Sequence, residues 1–154
     1  MAVPSGSDLD RAMWALRAYD TAALGTVSED GPHVAGVFFA PELSDDGRIQ
    51  LLIATIQGSR KQREMSADPR VAFMCSPGNP SRWIQGTGRA RLIMDETMHA
   101  DLFRRLTSHA PGAQSFIDRL PVLPAVITLH TLKVVEAAGT PALLLRFEDL
   151  EAGG

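Results

Sequence analysis

Apolar positions along the chain recur at two spacings. Near the start, Leu9, Met13 and Leu16 return every three or four residues, the spacing of one helical face, and Trp14 widens that stripe. Ser7 and Asp8 stand where an N-cap belongs, so the first expected element is a packing helix. Residues 21–28 then read as a strand, and Glu29-Asp30-Gly31 is a hairpin signal leading to a second strand over 32–40 with Val34, Val37, Phe38 and Phe39. The polar turn Ser44-Asp45-Asp46-Gly47 precedes a third strand over 49–55, and a short helix is expected over 59–67. A fourth strand over 71–75 ends at the loop Ser76-Pro77-Gly78-Asn79-Pro80. Residues 82–94 read as one long strand in which Gly86 and Gly88 allow a bend. Asp95-Glu96 opens a helix with Met98, Leu102 and Leu106 on one face, and Pro111-Gly112 breaks it. A short helix over 114–120, a rigid connector over 121–124, and closing strands over 125–137 and 142–147 complete the order. The final residues are expected to fray. Many antiparallel strands with a few outer helices indicate a mainly β, α+β chain: a small barrel of six to seven strands with peripheral helices.

Composition narrows the function. A length of 154 residues, with no repeat or long linker, fits a single domain over 1–154. A net charge of −3 gives no basis for bulk attraction to nucleic acid or to an anionic membrane. Apolar runs fall well short of the ~20 residues that cross a bilayer, and residues 1–7 lack the pattern of a secretory signal. The lone cysteine, Cys75, excludes an internal disulfide framework and fits a cytoplasmic protein. Its apolar strand implies a packed, inert thiol rather than a nucleophile.

The candidate chemistry sits between the third strand and the helix that follows. Gly58 opens a turn, and Ser59, Arg60 and Lys61 stand where the helix begins. Free N–H groups and the positive end of the helix dipole suit an anion there, and two cations add charge-assisted hydrogen bonds to a phosphate. From spacing alone, an N-cap serine followed by solvated cations is the more frequent arrangement. Other sites fall short. His33, His99, His109 and His130 are scattered without metal-ligand spacing, so no metal site is expected. His99 and His109 read as solvated on or beside the outer helix, and His130 as a structural strand histidine. Gly86-Thr87-Gly88 is not a dinucleotide loop, because Arg91 replaces the third glycine and the segment lies inside a strand. No Walker loop and no Gly-x-Ser-x-Gly elbow is present.

Four segments in order resemble the pyridoxamine 5'-phosphate oxidase-like flavin-binding split barrels. They are Leu24-Gly25-Thr26-Val27 with Asp30-Gly31-Pro32-His33-Val34; Ile53-Ala54-Thr55-Ile56-Gln57-Gly58-Ser59-Arg60-Lys61; Asp68-Pro69-Arg70-Val71; and Arg82-Trp83-Ile84-Gln85-Gly86-Thr87-Gly88-Arg89-Ala90. The resemblance runs from about Leu24 to Met94, and beyond that only by element order. It implies a split barrel binding FMN. Arg60 and Lys61 would grip the phosphate with Ser59 assisting. Ala54 and Thr55 would lie against the flavin or its ribityl chain. Strand residues from Ala35 through Val37 to Phe38 would present backbone groups to the ring edge. Trp83 and Gln85 would come from a second subunit, in a homodimer with the flavin at the interface. Trp83 serves equally as a barrel plug or dimer-core aromatic, and Thr55 as an ordinary strand threonine.

Departures from that pattern argue against vitamin B6 oxidation. Val34-Ala35-Gly36 stands where a true pyridoxamine phosphate oxidase has an arginine, and Ala142-Leu143-Leu144-Leu145-Arg146-Phe147 lacks its terminal tryptophan and Arg-x-His. The resemblance leaves deazaflavin or haem as alternatives, although haem-handling split barrels carry an added C-terminal module. The function it implies is an FMN-dependent oxidoreductase acting on an unidentified small molecule. Its redox partner would be a nicotinamide, a reduced flavin or oxygen. A flavin-binding module without turnover is the alternative. No side chain stands out as an acid or base, so the catalytic residues stay unassigned.

Overall fold

A computed structural model describes residues 7–147. The expected signal-free N-terminal residues, apart from Ser7, and the frayed last residues lie outside them. In chain order the elements are α1 (Asp8–Leu16), β1 (Thr21–Ser28), β2 (Gly31–Leu43), β3 (Ile49–Ile56), α2 (Arg60–Ala67), β4 (Arg70–Cys75) and β5 (Trp83–Leu92). A single 3-10 turn (Glu96–Met98) then leads to α3 (His99–His109), α4 (Ala113–Arg119), β6 (Val122–Val135) and β7 (Leu143–Arg146). The strands are antiparallel in the order β3-β2-β1-β4-β5-β6-β7, and a β3–β6 pairing closes the first six into a barrel. This is the mainly β split barrel with peripheral helices that the pattern predicts. Closure leaves no open edge among those six strands.

Burial follows from that closure. β4 alternates exposed and buried residues, as a strand with one wet face must. β3 is buried on both faces: Ile49, Leu51 and Ile53 point into the barrel core, while Leu52 and Ala54 join a second core under α3 and α4. Leu102, Leu106, Ala113 and Val126 also belong to that second core, and Phe38 packs against it. The unbroken apolar run of β3 is the sequence signature of a strand covered on both sides. Gly86 is fixed by crowding, since a Cβ there would stand 2.5 Å from the Phe73 ring and 2.7 Å from the Thr131 carbonyl. Beside it, the β5–β6 register shifts between Thr87 and Gly88.

Three expectations need correction. The stretch 121–124 is not a connector: β6 begins at Val122, and Pro124 pairs with Ala54 of β3. Pro124 is tolerated because its carbonyl accepts from Ile93 N–H at 3.0 Å, beyond the last β5–β6 pair, so its missing N–H falls where the β5 ladder has ended. β2 runs on to Leu43 because the Ser44 turn, with Ser44 N–H donating to the Arg48 carbonyl at 2.8 Å, closes only there. His99 and His109 are not solvated. Each is half-buried and donates an Nε2–H to a carbonyl at 2.7 Å, of Ile93 and Tyr19 respectively. Those bonds tie α3 to the barrel at both ends.

Candidate functional site

The turn between β3 and α2 is built to stay put. Gly58 has φ 77°, a conformation that favours glycine. The Ser59 hydroxyl caps α2 by accepting from Gln62 N–H at 3.3 Å. Gln62 Oε1 in turn accepts from Gly58 N–H at 3.0 Å, and the Arg63 guanidinium donates to the Gly58 carbonyl. In the first turn the N–H groups of Arg60 and Lys61 have no place in the helical ladder. The first turn of α2 carries no acid and two cations, an arrangement that the helix dipole disfavours.

Two cavities adjoin this turn and share Lys61. One, of about 210 Å³, has mostly polar side chains in its lining: Thr26, His33, Ser59, Arg60, Lys61 and Glu64, with Val34 and Ala35. The other, of about 420 Å³, is apolar, walled by Val37, Phe38, Ala54, Ile56, Ala113 and Phe116. Burial costs the Lys61 ammonium hydration and lowers its pKa from the ordinary 10.5. Glu64 is buried at 7% exposure, with Thr26 Oγ1–H donating to its Oε1 at 3.1 Å and His33 Nδ1 at 2.7 Å from its Oε2. Burial works to raise the Glu64 pKa, but hydrogen bonds from His33, Ser28 and Thr26 outweigh it and hold the carboxyl below its ordinary value. A carboxylate facing Nδ1 puts an imidazole proton on that nitrogen. The site therefore offers a cationic pocket at a helix N-terminus, beside an apolar cavity.

The sequence profile of pyridoxamine 5'-phosphate oxidase matches residues 10–135. This chain belongs to that family. No curated protein matches it in sequence. Among solved structures it is similar to a heme binding protein from Mycobacterium smegmatis, with a TM-score of 0.71 and 16% identity over 94% of this chain and 60% of that one. General Stress Protein 26 from Bacillus anthracis gives a TM-score of 0.65 at 18% identity, covering 90% of this chain and 98% of that one. A FAD-binding protein from Mesorhizobium loti gives 0.62 at 19% identity, covering 86% and 96%. At such identities the likeness is one of fold.

Within this family barrel the expected site residues divide into three groups. Ala35, Ser59, Arg60 and Lys61 line the polar cavity, and Val37, Phe38 and Ala54 the apolar one, so these seven meet around Lys61. Thr55 lies elsewhere: it is 0% exposed, on the face of β3 that carries Leu51 and Ile53, and its hydroxyl has no hydrogen-bond partner among the described residues. Trp83 and Gln85 lie apart from both cavities in the single chain. Trp83 lines a cavity of about 400 Å³ with Trp14, Tyr19 and Glu136, and the Lys133 ammonium sits 5.3 Å from its ring centre. Gln85 pairs with Met74 and Lys133 across the sheet.

Several site residues have no local signal. Glu64, Ala113 and Phe116 line the two cavities unannounced, and Thr26 and His33 stand in the opening hairpin of the resemblance with no role assigned. Glu64 follows Arg60 by one helical turn, the one pairing available from spacing alone. Outside the site, Cys75 is 1% exposed and burial pushes its thiol up to about 12, which leaves it unreactive. Among the described residues no cluster of His, Cys, Asp and Glu could hold a metal ion, and no helix is long and apolar enough to cross a membrane.

Proposed function

We propose that this chain binds FMN and acts as an FMN-dependent oxidoreductase on a small organic molecule. The observation that carries the reading is the pair of cavities joined at Lys61. The donor set fits the cofactor. Ser59, Arg60 and Lys61 would hold the phosphate in the polar cavity, and Phe38, Ala54 and Phe116 would flank the ring in the apolar one. Once bound, the flavin would supply hydride and electron transfer, while the apolar walls exclude water and fix its orientation. The redox partner would be a nicotinamide, a reduced flavin or oxygen.

The apolar cavity offers haem no axial ligand, since no His, Cys, Met or Tyr lines it. A deazaflavin would find the same cations for its phosphate. A homodimer with flavin at the interface accounts for the position of Trp83 and Gln85, which a second subunit would bring to the site. The outer sheet face also exposes Val34 at 70% and Met74 at 45%. A cytoplasmic location accords with the single buried thiol.

The test is an absorbance spectrum of the purified protein before and after added FMN. Two flavin bands, with fluorescence released on denaturation, are expected. A Soret band, or a protein that does not take up FMN, would overturn the assignment, and uptake of a deazaflavin alone would transfer it to that cofactor. Tight FMN binding without turnover of any nicotinamide and acceptor would reduce the protein to a flavin-binding module.

A further inference from the structure

Glu64 is an unexpected lining for an anion pocket. Its carboxylate is 7% exposed in the cavity that Ser59, Arg60 and Lys61 line, and its charge opposes any phosphate that enters. The contacts of that carboxylate give it a second role. Thr26 on β1 donates to Oε1 at 3.1 Å, and His33 Nδ1 on β2 lies 2.7 Å from Oε2 and 3.1 Å from Oε1. Arg60 Nε stands 3.7 Å from Oε1, on a side chain that is otherwise 60% exposed. Two strands thus hold a carboxylate, and that carboxylate faces a guanidinium one helical turn away. An arginine already restrained loses less rotamer freedom when it meets a ligand.

We propose that Glu64 is a positioning residue for anion binding: clamped by Thr26 and His33, it holds the Arg60 guanidinium over the pocket at the start of α2. This rests on the anion-pocket reading above but not on the flavin. The proposal has an unusual sign. If Glu64 were only a counter-charge, removing its charge would tighten anion binding. If it were only a peg docking α2 on the barrel, removing it would weaken binding whether or not Arg60 were present. A positioning residue weakens binding only while Arg60 is there to be positioned.

The experiment compares the wild type with Glu64→Gln, Arg60→Ala and the double variant, each checked for folding by its melting temperature. Inorganic phosphate binding is read by 31P NMR, and FMN and riboflavin binding by flavin fluorescence. Glu64→Gln is expected to weaken phosphate and FMN roughly tenfold and leave riboflavin unchanged. In the Arg60→Ala background the same substitution should cause no loss. Tighter anion binding by Glu64→Gln, or an equal loss in both backgrounds, would overturn the proposal. Should Glu64→Gln not fold, Thr26→Val keeps the charge and removes one clamp. It should weaken phosphate and FMN about threefold and spare riboflavin, and unchanged binding counts against the proposal. A wild type that binds phosphate but not FMN sinks the flavin reading alone, because the phosphate arm still decides this one. A wild type that binds neither overturns both.

Discussion

α1 and α2 each start at an extended serine whose hydroxyl accepts from the N–H three residues on: Ser7 from Asp10 and Ser59 from Gln62. From there they diverge. The first turn of α1 carries Asp8 and Asp10, which complement the helix dipole, and its apolar face packs Met13 and Leu16 into the barrel core. The first turn of α2 carries Arg60 and Lys61 and no acid, so the dipole is opposed twice. It also leans on the cavity where burial lowers the Lys61 pKa. One helix follows the charge rule at its start and serves the fold. The other breaks the charge rule where two cavities meet, as the proposed anion site would require.

The contrast breaks most sharply if the cations of α2 are removed. Replacing Arg60 and Lys61 together with alanine should weaken FMN by about 3–5 kcal/mol, some hundreds to thousands-fold, with riboflavin binding far less changed. Fluorescence titration of the folded double variant checks this, and retained FMN affinity would remove the phosphate assignment. The next effect is on pH. A bound phosphate stabilises the ammonium, so Lys61 should have a higher pKa in the complex than in the free protein, where burial lowers it below 10.5. Binding then takes up a proton, and FMN affinity should fall as pH rises through the free-protein pKa, by up to about tenfold per pH unit. Titrations from neutral to alkaline pH should show this fall in the wild type and a flat profile in Lys61→Arg, whose guanidinium stays charged. A fall of equal steepness in both would place the titrating group elsewhere.

The two caps sharpen the comparison at a smaller scale. Ser7→Ala and Ser59→Ala should each cost about 1 kcal/mol of stability, read from denaturant midpoints. Only Ser59→Ala should also weaken FMN. Equal effects on ligand binding would mean that the cap at Ser59 acts through the fold alone.

What could be read from the chain follows the same division between local and distant information. Ser59, Arg60 and Lys61 were legible because cap, cations and preceding strand are contiguous. The strands were legible from apolar runs set between turn signals, although the all-apolar stretch 71–75 hid the alternation of exposed and buried residues in β4. Glu64 was not, because its partners Thr26 and His33 lie 38 and 31 residues away and meet it only when the barrel closes. The start of β6 was hidden for a related reason. Pro121 and Pro124 argue locally for a connector, and only the pairing of Pro124 with Ala54, past the end of the β5 ladder, makes a strand possible. His99 and His109 look exposed on an amphipathic helix, yet each finds a carbonyl outside that helix. Thr55 adjoins Ala54 in sequence, but strand alternation sends the two to opposite faces.

The smallest predicted effect is the most specific to the contrast. Lys61→Gln removes a charge that the helix dipole opposes and that burial has partly desolvated. A lysine whose pKa is depressed by folding weakens the fold at every pH below that depressed value, where the ammonium must be kept, and the penalty fades as pH rises through it. Neutralising the residue should therefore raise the stability of the ligand-free protein at neutral pH, by about 0.3–1 kcal/mol from the dipole, while lowering FMN affinity. The matching change in α1, Asp8→Asn, should lower stability slightly and leave FMN alone. Urea unfolding of the two variants without ligand, set beside their FMN titrations, reads both signs. A Lys61→Gln protein less stable than the wild type would show that Lys61 supports the helix it begins, and the opposition between the two helix starts would no longer mark the site.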